Sequence, residues 1–158
     1  AIPGVSMAYF LRAALNAHNK HTGKDEVDAV KFLTNAKKIL SHLGLDDSFL
    51  KRSINDGFSG GEKKKSEILQ LLMLNPQFAV LDETDSGLDI DALRIVAEGV
   101  NEFNNDGNSV LIITHYQRLL NYIKPDVVHI MIDGEIVKSG DMNLAKEVEE
   151  KGYSWLVK

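Results

Sequence analysis

Two short clusters, Phe58-Ser59-Gly60-Gly61-Glu62 and Asp82-Glu83, carry residue types suited to phosphate and metal chemistry. Ser59 and Glu62 have the S-x-x-E spacing of a capping box. In that motif Ser59 accepts from the N–H of Glu62, whose side chain reaches back to the N–H of Ser59. Alone, such a box marks only a well-capped helix. Two glycines inside it change the reading, since each costs about 1 kcal/mol of helix propensity relative to Ala. Bare backbone at Gly60 and Gly61 therefore calls for a reason. Close approach of a phosphate to N–H groups at the positive end of a helix is such a reason. Lys63, Lys64 and Lys65 follow in the first turns, where cations oppose the helix dipole; they read either as a solvated face or as neighbours of a phosphate.

The apolar run Phe78-Ala79-Val80-Leu81 comes about twenty residues later and closes on Asp82-Glu83. At the end of a parallel strand, Asp82 can hold Mg²⁺ through water, and Glu83 can point where an attacking water would stand. The plainer alternative is an acidic loop after a strand. Ser86-Gly87-Leu88-Asp89 follows, and Thr114-His115 ends the next apolar run. A lone His at a strand end is usually structural, but here it is the fourth member of an ordered series. The phosphate loop G-x-x-x-x-G-K-[ST] occurs nowhere in these residues.

Helices and strands of ordinary length must position these groups. Tyr9, Phe10, Leu11, Ala14 and Leu15 predict an amphipathic helix from Ala8 to about Asn19. A second helix is predicted from about Asp25 to Leu43, with Val27, Val30, Leu33, Ala36, Ile39, Leu40 and Leu43 as its apolar positions and Gly44 as its stop. Asp46-Asp47-Ser48 can start a further turn carrying Phe49 and Leu50. A third helix runs from the glycines to Leu74, where Asn75-Pro76 ends it. From there strand and helix alternate. Phe78–Leu81 and Val110–Thr114 read as strands buried on both faces of a parallel sheet. Leu93, Val96, Ala97, Val100 and Phe103 mark the helix between them, and Asp106-Gly107 the turn. Tyr116–Ile123 reads as a short helix, Val127–Ile132 and Glu135–Val137 as a hairpin about Asp133-Gly134, and Asn143 to Glu150 as a last helix.

Composition bounds what these elements can be. A chain of 158 residues with 44% apolar and 26% charged residues has the make-up of one soluble globular domain. No apolar stretch approaches the roughly 18 residues that a membrane span needs, so no membrane insertion is expected. Ala1-Ile2-Pro3-Gly4 has no basic flank and is not expected to open a signal peptide. The absence of a starting Met suggests a fragment. Without Cys the chain can supply no thiolate to a metal or cluster, and a reducing compartment fits. Residues 1–75 carry 11 Lys+Arg against 8 Asp+Glu, and residues 76–158 carry 7 against 15. That asymmetry is either ordinary solvated surface or a division into phosphate contacts and metal-facing carboxylates. It holds no basic stripe with interleaved aromatics, so no nucleic-acid partner is expected.

In order, the glycine-rich helix start, the strand-end Asp82-Glu83 (Walker B), Ser86–Asp89 (D-loop) and His115 (switch histidine) resemble the nucleotide-binding domain of an ABC-type ATPase. The stretches FSGGEKK (58–64), DETDSGLDIDAL (82–93) and THYQRLLNYIKPD (114–126) resemble more specifically the SufC family, the ATPases of the SUF iron–sulfur cluster assembly system. GEIVKSGD (134–141), Gly152-Tyr153, Trp155 and the opening IPGVS (2–6) extend the likeness over essentially the whole chain. Transporter ATPases typically carry LSGGQ and S-A-L-D, from which Phe58, Glu62 and Gly87 depart.

The resemblance implies an α/β, P-loop NTPase-like fold, incomplete here: a helical lobe at 1–75 and the C-terminal part of the α/β core at 76–158. It also implies two ATPase subunits meeting head to tail with ATP between them. Ser59, Gly60, Gly61, Glu62 and Asp89 would then lie at the nucleotide, Asp82 at Mg²⁺, and Glu83 and His115 at the reacting γ-phosphate. SufB- and SufD-type scaffold proteins are the implied partners, in a cytoplasm or a plastid stroma. Such proteins begin with a β-rich part bearing the phosphate loop and a glutamine loop. Both are missing here, so this chain alone is expected to bind ATP poorly. Two other readings stand beside this one: a non-catalytic partner-binding module, and the ATPase subunit of a transporter.

Overall fold

Ser6 turns an extended segment into a helix. Its hydroxyl accepts the N–H of Tyr9 at 3.3 Å, ending β1 (Ile2–Ser6) and opening α1 (Met7–His21) in the computed structural model, which describes residues 1–105, 107–115 and 117–156. Met7 and Leu11 are the fully buried residues of α1. β1 pairs antiparallel with β2 (Ser53–Ile54), and the Gly4 N–H donates to Ser53 Oγ at 3.1 Å. The sequence gives no strand signal there, because Pro3 and Gly4 interrupt it.

The second helix, α2 (Ala29–His42), starts later than the Asp25 expected. Asp28 is the acidic residue that caps, accepting from Val30 and Lys31 at 3.0 and 2.9 Å, which leaves residues 25–27 outside. Phe32, Ala36, Ile39, Leu40 and Leu43 are buried, whereas Val30 is 72% and Leu33 43% exposed. The inward face is thus rotated from the predicted one: Phe32 occupies the core in their place. A 3₁₀ turn at Asp47–Lys51 carries Phe49 and Leu50 inward, as its sequence implies.

Both ends of α3 (Gly60–Leu74) fall where expected, with Asn75 in the left-handed region (φ 41°) and its N–H on the Leu71 carbonyl. α3 packs on α4 (Ile90–Asn105), which buries Leu93, Val96, Ala97, Val100 and Phe103. Gly99 permits the close approach, since a Cβ there would stand 2.4 Å from Ile68 Cγ2. α4 is also the crossover between β3 (Phe78–Asp82) and β4 (Ser109–Ile113), which pair in parallel from Phe78 opposite Ser109 to Asp82 opposite Ile113.

These strands are not buried on both faces. Ala79 is buried, but Phe78, Val80, Leu111 and Ile113 are 57, 54, 45 and 49% exposed on the other face. Only these two strands form this sheet among the described residues, so the outer face has no covering layer. Gly107 takes a left-handed turn (φ 80°) before β4, while Asp106 of the expected turn lies outside the described residues.

Residues 1–114 form one compact unit and residues 115–158 a second. In the second unit the expected helix is a 3₁₀ turn at Gln117–Asn121, and Tyr116 lies outside the described residues. β5 (Val128–Ile132) and β6 (Glu135–Gly140) form the expected hairpin. Asp133 (φ 51°) and Gly134 (φ 84°) supply the two left-handed residues of a tight turn. Asp141 caps α5 (Met142–Lys151), whose Leu144 and Val148 pack on Ile130 with Leu156 beside them.

Two glycine substitutions test this packing. Gly99→Ala should destabilise by about 1–3 kcal/mol despite its better helix propensity, because the β-branched Ile68 is fully buried and cannot swing away. Gly60→Ala, where a Cβ would meet nothing, should be neutral or stabilising by at most about 1 kcal/mol. Urea midpoints of the two variants measure the contrast.

Candidate functional site

The start of α3 is built as a reciprocal box. Ser59 Oγ accepts the Glu62 N–H at 3.2 Å, and Glu62 Oε2 accepts the Ser59 N–H at 2.9 Å. Around Gly60 and Gly61 there is open space: a Cβ at either would find no atom within 4 Å. Internal packing therefore does not require glycine there, and the exposed N–H groups at this helix end are open to an approaching anion. Of the three lysines that follow, Lys64 is engaged by Glu67 at 3.3 Å.

Arg52, which the sequence reading passed over, organises this helix start. Its guanidinium donates to both oxygens of Glu62, and Nη2 also donates to the Gly57 carbonyl at 3.1 Å. The same group stacks over the ring of Phe58 at 4.4 Å and that of Phe49 at 5.3 Å, and the two rings lie 4.6 Å apart. Hydrogen bonds from Arg52, then from the Ser59 N–H, hold the Glu62 carboxyl down to about 2 from an ordinary 4.5. No periodicity announces Arg52; the sole sequence hint is two phenylalanines bracketing an arginine ahead of an acidic helix start.

Asp82 and Glu83 stand at the carboxyl end of β3, both exposed. The Glu83 N–H donates to the Ile113 carbonyl at 2.8 Å, extending the β3–β4 ladder by one bond before the chain turns. Glu83 makes that turn in the left-handed region (φ 47°), uncommon for a residue other than glycine. Ser86 N–H returns to the Glu83 carbonyl at 3.1 Å. Asp85, also passed over, is buried: its Oδ2 accepts from Thr114 Oγ1 at 2.8 Å, and among the described residues its Oδ1 has no hydrogen-bond partner. Thr114 thus clamps the loop after β3 to the end of β4. A bond spanning 29 residues leaves no trace in local sequence pattern.

Asp89 caps α4, with Oδ1 accepting the Ala92 N–H at 2.8 Å, so its residue type has a structural use as well. His115 is exposed and opens the second unit. Ser59 to Glu62 and Asp82 to Asp89 all belong to the first unit. A lone exposed carboxylate such as Asp82 suits Mg²⁺, which keeps several waters and draws further ligands from substrate phosphates. Among the described residues no group of three or more acidic or histidine side chains could hold a metal by itself.

Because the folded Glu62 titrates lower than an unfolded glutamate, its contribution is complete above pH 4.5, falls as pH drops towards about 2, and is gone below. Glu62→Gln should flatten the acid limb of stability across that window, read from urea midpoints between pH 6 and 2.

The sequence model of the ABC transporter family matches residues 5–86. The chain is 57% identical over 98% of its length to the "Probable ATP-dependent transporter ycf16" of Cyanophora paradoxa, covering 60% of that protein. It is 51% identical over the same share to the "Probable ATP-dependent transporter SufC" of Escherichia coli, covering 62%. The chain therefore spans about 60% of the length of these relatives. All of it superposes on 65% of an ATP-binding subunit of an ABC transporter, with a TM-score of 0.75 at 22% identity. A dimeric bacterial ABC transporter cassette matches 89% of the chain with 58% of its own, at a TM-score of 0.72 and 18% identity. Those two structures establish the fold, and the matching family model together with the relatives' identities establishes kinship: the chain belongs to the ABC transporter family of ATP-binding cassettes, among the homologues of SufC.

Proposed function

We propose that this chain is the C-terminal part of an ATPase that couples ATP binding and hydrolysis to iron–sulfur cluster assembly on SufB- and SufD-type scaffolds. One observation carries the reading: Asp82 and Glu83 are exposed where the parallel ladder ends, with Glu83 fixed by its own N–H to β4. Residues 1–75 serve as the helical lobe and residues 76–158 as part of the catalytic core. In a head-to-tail pair, Ser59, Gly60 and Gly61 of one subunit present the α3 start to the nucleotide held by the other, with Glu62 behind them. Asp82 holds Mg²⁺, which when bound neutralises charge on the transferring phosphoryl group. Glu83 orients and polarises the attacking water, His115 contacts the γ-phosphate, and Asp89 links the two sites. Fit with Mg²⁺ rests on the oxygen chemistry and exposure of Asp82; fit with ATP rests on the open space over Gly60 and Gly61. The protein is placed in the cytoplasm, with a plastid stroma as the alternative.

The names of these relatives, probable ATP-dependent transporters, favour a second reading, an ATPase subunit serving a transporter. Among the described residues no helix is long and apolar enough to cross a membrane. Co-purification with a membrane permease rather than with a SufB/SufD-type scaffold would decide for it.

Three outcomes are expected. Glu83→Gln in the full natural gene product should lower steady-state ATP turnover by about a hundredfold or more while leaving the fold intact. Undiminished turnover would remove Glu83 from its role. Chelation by EDTA should abolish turnover and added Mg²⁺ restore it, with Asp82→Asn shifting the Mg²⁺ requirement upward. The 158-residue chain alone, lacking the phosphate loop, should show no micromolar ATP binding by calorimetry.

A further inference from the structure

Glu62 poses an electrostatic problem if the α3 start is to face a triphosphate. A helix N-terminus attracts anions through its dipole and free N–H groups. A carboxylate in the first turn, held ionised throughout the physiological range, opposes that attraction. Arg52 answers the problem with unusual completeness. Its fork takes both Glu62 oxygens, its spare N–H fixes the Gly57 carbonyl at the approach to the helix, and two phenylalanine rings hold its plane. About a third of each side chain in the pair remains exposed, so the pair lies where an incoming anion would feel any imbalance. Lysine could not replace it, because an ammonium supplies a point charge without the planar fork or the stacking face.

We infer that Arg52 is a positioning residue of the ATP site, which cancels the charge of Glu62 and sets the Ser59-Gly60-Gly61 turn so that the helix start accepts the nucleotide of the opposing subunit. The inference rests on the ATPase reading above. It separates two functions that Glu62 would otherwise confuse: the carboxylate closes the capping box, and the guanidinium keeps that closure from repelling phosphate. Arg52 does not itself touch the reacting atoms.

The test is a charge-rescue cycle in the full natural gene product, reading KM for ATP and kcat separately. Arg52→Ala should lower kcat/KM by about tenfold, mainly through KM, since it leaves Glu62 uncompensated in front of the nucleotide. Adding Glu62→Gln should recover most of that loss, because the amide can still accept from the Ser59 N–H while bearing no charge. A purely structural role for Arg52, through ring stacking and the Gly57 carbonyl, would give no such recovery. Should Arg52→Ala fail to fold, the same comparison on the neutral, longer Arg52→Gln, with and without Glu62→Gln, decides. Active wild type with no recovery in the double variant overturns the inference alone, as does Arg52→Ala with wild-type KM. Wild type without ATP turnover removes the ATPase reading and this inference together.

Discussion

Two parallel strands cannot be joined by a tight turn, so the chain between them must leave the sheet, cross it and return. α4 makes that crossover between β3 and β4, and both strands consequently leave the ladder at the same edge. Asp82, Glu83 and Thr114 emerge there as neighbours in space, and the Thr114–Asp85 hydrogen bond closes a separation of 29 residues. The edge is stiffened twice, by the Glu83 N–H on Ile113 and by the Thr114 hydroxyl on Asp85. Asp82 and Glu83, the candidate catalytic and metal-binding carboxylates of the first unit, take their place from this ladder.

The other half of the candidate chemistry depends on a balance of charges at one helix end. Capping the first turn of α3 with Glu62 satisfies backbone donors that would otherwise be orphaned. The same choice puts a negative charge where a dipole offers a positive one. Arg52 resolves the conflict locally, and the rings of Phe49 and Phe58 give it a fixed seat. Buried aromatic area, a guanidinium fork and a cap thus converge on a turn of one serine, whose hydroxyl closes the box, and two glycines that bring no side chain at all.

What could be read from residue order was mainly what nearest neighbours decide. α3 was legible because its start is a capping box and its end an Asn-Pro pair; the hairpin was legible because Asp133-Gly134 accepts positive φ. α2 misled at its start because a second aspartate, Asp28, follows Asp25 within a turn, and it is Asp28 that accepts the N–H groups of Val30 and Lys31. Its face misled because Val30 and Leu33 share the spacing of core residues, whereas tertiary packing chose Phe32. A short apolar run cannot tell a strand covered on two faces from one covered on a single face, and Phe78, Val80, Leu111 and Ile113 turned out exposed. Around the candidate site, local structure was legible where motifs are contiguous, in the capping box at 58–62 and the strand end at Asp82. Arg52 and the Thr114–Asp85 clamp were invisible because they join residues whose proximity is a product of the fold.

Gly99 carries a consequence for how such a chain can drift. A helix interior ordinarily tolerates alanine better than glycine, yet here the missing methyl is the space that Ile68 Cγ2 occupies. The two positions share one volume, so neither can change size independently. Enlargement at 99 becomes tolerable only alongside a trimmed side chain at 68, making the pair a single heritable unit whose joint substitutions depart from additivity.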